Sequence, residues 1–188
     1  MSRFTTYEPD TAPAAARPVM AGVRRSLGHL PAAVGLMAGS PELLKGFLAA
    51  NAAFEATDLD PVAREVVVLT VATRNGCHLC VAMHTATLVR HVAAPELIEA
   101  LRAGTTLPDP RLEALRRFTV AVLDHRGAVP DADLDALLAA GWQPRHALDV
   151  VLGVGTYTIS TFANRLTEAP LDAPLAAYAW TPAAESAV

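Results

Sequence analysis

Apolar residues along the chain fall into blocks of helical length, separated at intervals by prolines and glycines. Ser40-Pro41, Asp60-Pro61 and Asp109-Pro110 each set a side-chain oxygen ahead of a proline. That pairing starts a helix, because the oxygen accepts a free backbone N–H and the proline has none to satisfy. Ala94-Pro95-Glu96 and Pro130-Asp131 repeat the signal in weaker form, and Gln143-Pro144 opens a last long helix ending near Pro170. Gly39, Gly76, Gly104, Gly127 and Gly141 stand where helices should stop. The pattern predicts helices at 17–27, 31–38, 41–56, 61–75, 77–92, 95–103, 110–126, 131–140 and 144–167. No strand is required. Val66, Val67, Val68, Leu69 and Val71 have the β-branched content of a buried strand, but the proline-marked start and a run of about fifteen residues favour a helix. A long Pro-started helix followed by a short acidic one occurs at 61–103 and again at 110–140, an echo too weak to be a repeat.

Composition supports the same all-α reading. The chain is 52% hydrophobic but only 5% aromatic, a balance that suits packed helices better than a β-sandwich. Its 188 residues fit one domain. The expected division is a flexible N-terminal segment at 1–16, a helical domain at 17–170 and a C-terminal tail at 171–188. With 15 basic and 19 acidic residues, the net charge of −4 offers no footprint for a nucleic acid. Glu65 to Arg74 and Val150 to Ala163 are apolar-rich but interrupted by polar groups or glycines, as in buried helices rather than membrane spans. The first sixteen residues are polar, contain proline and lack a continuous apolar stretch, so a cytoplasmic protein is expected. So few charges on so apolar a chain also predict a homo-oligomer, with helix faces covered by a second copy.

Only two cysteines occur, three positions apart. In a reducing compartment such a pair is catalytic, redox-sensing or metal-binding before it is structural. Gly76 should end one helix and Cys77 begin the next, placing Cys77 and Cys80 in a first turn whose free N–H groups favour a thiolate. His84 follows Cys80 by four residues and shares its face, positioned to take the proton that Cys80 must lose. Glu65 lies near the start of the preceding helix. If the two helices pack antiparallel, its carboxylate meets the turn carrying His84 and orients the imidazole.

Simpler readings exist for each of these residues. Free cysteines are often small buried hydrophobes. Cys77, Cys80 and His84 supply three zinc ligands, but a structural site needs a fourth and no second pair is present. Glu65 in a first turn answers the helix dipole, and His78 sits at a solvated helix start. His29, His91, His125 and His146 fall at helix ends or turns, where surface or capping roles prevail. Tyr157 and Asn164 are seven apart and share a face over the site, with core packing the favoured role. Gly153 and Gly155 suit close approach of a neighbouring helix.

The segment DPVAREVVVLTVATRNGCHLCVAMHTATL, Asp60 to Leu88, resembles the signature of the carboxymuconolactone decarboxylase and alkylhydroperoxidase D (AhpD-like) superfamily. A Glu precedes Cys-x-x-Cys by twelve residues and a His follows the second Cys by four, positions filled by Glu65, Cys77, Cys80 and His84. The similarity extends from about residue 20 to the last helix with Asn164-Arg165. It implies an AhpD-like helical bundle assembled as a dimer, trimer or hexamer, and dithiol chemistry with no bound cofactor. It also implies that Cys80 reacts with a peroxide, that Cys77 resolves the sulfenic acid, and that Glu65 and His84 relay the proton. An external dithiol or protein reductant would restore the thiols. Two departures matter. Alkylhydroperoxidase D has a His immediately before the second Cys, where this chain has Leu79; His78 lies one position earlier, about a hundred degrees around the helix. The decarboxylase members lack the Cys pair, which makes lactone decarboxylation by Glu65 and His84 the alternative activity. A non-enzymatic redox sensor or scaffold is the other alternative.

Overall fold

The computed structural model describes residues 3–182. The helices are α1 (Arg17–Leu27), α2 (Ala32–Met37), α3 (Pro41–Glu55), α4 (Pro61–Arg74), α5 (His78–Arg90), α6 (Pro95–Ala103), α7 (Pro110–Asp124), α8 (Asp131–Ala139) and α9 (Pro144–Leu166). A short 3-10 helix, Ala173–Tyr178, follows, and no strand occurs among the described residues. The chain is a single all-α domain.

The caps act as the sequence predicts. Ser40 Oγ accepts the Leu43 N–H at 3.3 Å, Asp60 Oδ1 the Ala63 N–H at 2.9 Å, and Asp109 Oδ1 the Arg111 N–H at 2.7 Å. Each such cap stabilises its helix end by about 1 kcal/mol. At α9 the N–H of Gln143 donates to His146 Nδ1 at 2.9 Å, closing a reciprocal capping box.

Helix α4 is the axis of the molecule, packed by α5, α6, α7 and α9. Val66, Val67, Val68, Leu69, Val71 and Ala72 are all buried. The strand alternative for this run is therefore set aside: continuous valine content reflects a helix apolar on every side because it has neighbours on every side. Buried threonines on these helices donate back to carbonyls one turn earlier, as from Thr70 to Val66 at 2.6 Å and from Thr161 to Tyr157 at 2.6 Å. Gly153 lets α9 close on the core, since a Cβ there would lie 2.7 Å from the Phe54 ring and 2.9 Å from Val67. Gly155 faces open space instead and serves no such contact.

Parts of both chain ends, within the expected N-terminal segment and C-terminal tail, pack against the helices. Between residues 3 and 16, Ala12 and Ala16 are buried, and Tyr7 N–H donates to the Gly35 carbonyl at 3.1 Å. Gly35 on α2 allows that close approach, since a Cβ there would lie 2.8 Å from the Tyr7 carbonyl oxygen. Residues 171–182 are likewise held. Arg102 on α6 donates to the carbonyls of Tyr178 and Ala179 at 3.0 and 2.8 Å, and the Trp180 indole N–H donates to the Arg102 carbonyl at 2.9 Å. The remainder of the expected tail, 183–188, and residues 1–2 lie outside the described residues. No helix among the described residues is long and apolar enough to cross a membrane.

Candidate active site

Gly76, with φ of 62°, ends α4 in the left-handed conformation that favours glycine. The chain reverses there, Cys77 N–H donates to the Ala72 carbonyl at 3.0 Å, and α5 runs back along α4. Cys77 becomes the N-cap of α5: its sulfur accepts the Cys80 N–H at 3.4 Å. Both cysteines are free thiols and buried, with their sulfurs 2.7 Å apart and hydrogen-bonded. A disulfide needs about 2.05 Å, so closing the bond asks only a small side-chain rotation.

The reversal also brings Glu65 to His84. The carboxylate Oε2 accepts from His84 Nδ1 at 2.8 Å, and both side chains are largely buried. With the proton on Nδ1, the other nitrogen of a neutral ring, Nε2, carries a lone pair and is a base. The Tyr157 ring and the imidazole pack in a T-shaped arrangement with centroids 5.1 Å apart. Tyr157 in turn donates its hydroxyl to Asn51 Oδ1 at 2.8 Å, and burial holds that phenol far above its ordinary pKa, so it stays a donor.

The two sulfurs titrate as a unit. The Cys77 thiol is lowered to about 7, first by the hydrogen bond with the Cys80 side chain, against burial, and further by the Cys80 N–H and the Asn164 amide. The Cys80 thiol is pushed up by that same hydrogen bond, by burial and by the charge on Cys77. These opposite shifts let the pair give up its first proton more readily than an ordinary thiol and hold the second more tightly.

A cavity of about 280 Å³ opens over Cys80. Val34, Met37, Phe47, Leu48 and Met83 line its apolar wall, while Cys80, His84, Glu65, Ser160 and Asn164 supply its polar end. Cys77 does not line it. His78 is exposed and borders a separate surface depression with Arg165 and Trp180, so its side chain takes no part in the cavity.

Two polar residues on α9 complete the sulfur's surroundings. Asn164 Nδ2 donates to Cys80 Sγ at 3.3 Å, and the buried Ser160 hydroxyl, which donates to the Tyr157 carbonyl at 3.4 Å, works with it to offset part of the rise in the Cys80 pKa. Asn164, expected from sequence to share a core-packing role with Tyr157, instead meets a sulfur, and Ser160 carries no sequence motif of its own. The available signal was the four-residue spacing of Ser160 and Asn164, which puts both on one helix face.

Of the other histidines, His146 lies in a second cluster with Asp58 and Asp149, whose ligand atoms fall within 4.8 Å of one another. Its Nδ1 accepts the Gln143 N–H, which leaves the proton on Nε2, facing Asp58 Oδ1 at 3.2 Å. Neither nitrogen is left with a lone pair for a cation.

Residues 41–121 match the model of the carboxymuconolactone decarboxylase family. That match takes in Glu65, Cys77, Cys80 and His84 together. Among solved structures, an uncharacterized peroxidase-related protein with an AhpD core from Ralstonia eutropha JMP134 superposes with a TM-score of 0.79. It is 23% identical, and the match covers 93% of this chain and 94% of that one. A second uncharacterized peroxidase-related protein, from Silicibacter sp. TM1040, gives a TM-score of 0.76 at 20% identity, covering 92% of each chain. The debrominase Bmp8 gives 0.76 at 16% identity, covering 95% of this chain and 96% of its own. At these identities the likeness is one of fold. Comparison with curated proteins finds no match.

Proposed function

We propose that this chain is a member of the carboxymuconolactone decarboxylase and AhpD-like superfamily and a thiol peroxidase that reduces organic hydroperoxides through Cys80 and Cys77. The observation that carries the reading is the placement of Cys80, hydrogen-bonded to Cys77 and lining a mostly apolar cavity together with the His84–Glu65 pair. Cys80 attacks the terminal oxygen of ROOH. A sulfur–oxygen bond forms, the O–O bond breaks, and the leaving alkoxide takes the thiol proton by way of His84 to become an alcohol. Cys77, which holds the charge of the pair near neutrality, then attacks the Cys80 sulfenic acid. The displaced hydroxide takes up a proton from solvent to leave as water, and the disulfide closes. An external dithiol or protein reductant returns two electrons and two protons, and no bound cofactor takes part.

A second copy of the chain completes the proposal. Leu148, Val151, Phe162 and Leu166 are exposed along α9, an apolar surface suited to self-association. Sedimentation at micromolar concentration should give a homo-oligomer, and a monomer mass would remove this part of the reading. A reducing compartment such as the cytoplasm keeps the pair as thiols between turnovers.

The decisive experiment is thiol mapping by mass spectrometry before and after one equivalent of cumene hydroperoxide. The expected product is an intrachain Cys77–Cys80 disulfide with one equivalent of alcohol. Two unreactive thiols would refute the peroxidase. The apolar cavity wall favours one further substrate for the same dithiol, an aryl halide of the kind implied by the debrominase: carbon–bromine becomes carbon–hydrogen, HBr is released and the dithiol becomes the disulfide. Bromide release from a brominated heteroaromatic, with no loss of hydroperoxide, would select that reading.

A further inference from the structure

The buried amide of Asn164 is only half used. Nδ2 donates to Cys80 Sγ at 3.3 Å, whereas Oδ1 has no hydrogen-bond partner, although the residue is 4% exposed and lines the cavity beside Cys80. Leaving such an oxygen desolvated and unpaired costs about 1–3 kcal/mol, so a native site that keeps one keeps it for a donor that arrives with a ligand. The donor must lie next to the sulfur, because the two ends of one amide group are barely 2.3 Å apart by covalent geometry.

We propose that Asn164 is the substrate-positioning group of this site, its Oδ1 accepting the O–H of an incoming hydroperoxide while its Nδ2 steadies the Cys80 sulfur. The inference rests on the reading that Cys80 meets a hydroperoxide in the cavity. A hydroperoxide carries its one donor on the oxygen that the sulfur must attack. An acceptor beside Sγ therefore selects the correct oxygen and holds the O–O bond in line with the attack. His84, from the neighbouring α5 position, is left to protonate the departing oxygen. Electrophiles without a donor gain nothing from Oδ1, so the site discriminates in favour of ROOH over other thiol-reactive compounds of similar size.

The test separates the two ends of the amide. In the full-length Cys77→Ser protein, where Cys80 is the only thiol, rates are measured with tert-butyl hydroperoxide, trapping the sulfenic acid with dimedone. They are measured again with methyl methanethiosulfonate, an electrophile that the same sulfur attacks, with release of methanesulfinate, but that carries no donor. Asn164→Leu should slow both reactions, yet lower the ratio of the first rate to the second by about tenfold or more. Asn164→Asp keeps an acceptor in place and should hold that ratio within about threefold of the parent, although its negative charge slows both reactions. An unchanged ratio in Asn164→Leu would overturn the inference, since Asn164 would then act on the sulfur alone. A ratio lost in Asn164→Asp would overturn it too, and that variant decides the matter if Asn164→Leu does not fold. A parent protein that reacts with the thiosulfonate but not with the hydroperoxide would overturn the peroxidase reading itself.

Discussion

Two histidine–carboxylate pairs occur in this molecule, and the difference between them shows what turns such a pair into a site. His84 donates from Nδ1 to Glu65 and keeps Nε2 as a base beside a cavity that also holds Cys80. His146 accepts the Gln143 N–H at Nδ1 and faces Asp58, in the connection before α4, through Nε2, so the fold occupies both nitrogens. The first pair is enclosed on both sides; in the second the carboxylate is 44% exposed and also engages Arg145. An imidazole with both nitrogens occupied by the fold is a cap. One nitrogen left free at a cavity is a reagent.

The sharpest contrast comes from the thiols themselves. Cys80→Ser should reduce hydroperoxide consumption to the uncatalysed background at every pH, followed as peroxide loss. Cys77→Ser should permit the first oxidation and strand Cys80 as a sulfenic acid, detected as a dimedone adduct. An adduct on Cys77 in Cys80→Ser, with none on Cys80 in Cys77→Ser, would reverse the roles of the two sulfurs.

Next in size is the imidazole. His84→Asn or Glu65→Gln should slow peroxide reduction tenfold to a few hundredfold, roughly the contribution of one acid–base group, with much of the loss recovered at alkaline pH. His146→Asn should leave the same rate within about twofold. Equal losses from both histidines would erase the distinction drawn between them.

Alkylation of the wild-type pair should depend on pH less strongly. Because the surroundings lower the Cys77 thiol to about 7, the thiolate accumulates as pH rises through 7 and the rate levels off above it. Between pH 6 and 7 the rate should change by several-fold, and a second rise, from the raised Cys80 thiol, should come only in strongly alkaline solution. A single midpoint at the ordinary thiol value would show that the pair does not share its proton.

The smallest effect is on stability. Losing the His146 cap should cost about 1 kcal/mol, lowering Tm by about 2–4 °C. Burial, with Arg145 nearby, lowers the His146 pKa, so the unfolded chain binds its proton more readily than the native one. That part of the stability is fully present above the unfolded value of about 6.5 and fades as pH falls below it. In His146→Asn, Tm should fall less between pH 7 and 5 than in the wild type.

The helices were legible because their ends are written in local chemistry: Asp60 before Pro61 and Gly76 before Cys77 each define a boundary without reference to the rest of the fold. Glu65, Cys77, Cys80 and His84 were legible because one helical reversal brings them together. Asn164 was not, since its partner lies eighty-four residues away on another helix. A polar residue in an apolar helix gives no local sign of whether it meets a carbonyl or a sulfur. The packed ends were hidden for a similar reason. Nothing in the residues around Trp180 announces that Arg102 will hold their carbonyls.

Cys77 does for α5 what Asp60 does for α4, with sulfur in place of oxygen as the cap. Unlike a carboxylate, this cap can be oxidised, which joins the end of a helix to an electrochemical quantity. Free energy that the helix start gives to the Cys77 thiolate is not available to the disulfide, so the reduced form is favoured and the midpoint potential of the couple moves upward. A hydroperoxide is oxidising enough to drive the pair forward regardless. The benefit falls on the return half of the cycle, where a dithiol of modest reducing power suffices to open the disulfide and recap the helix.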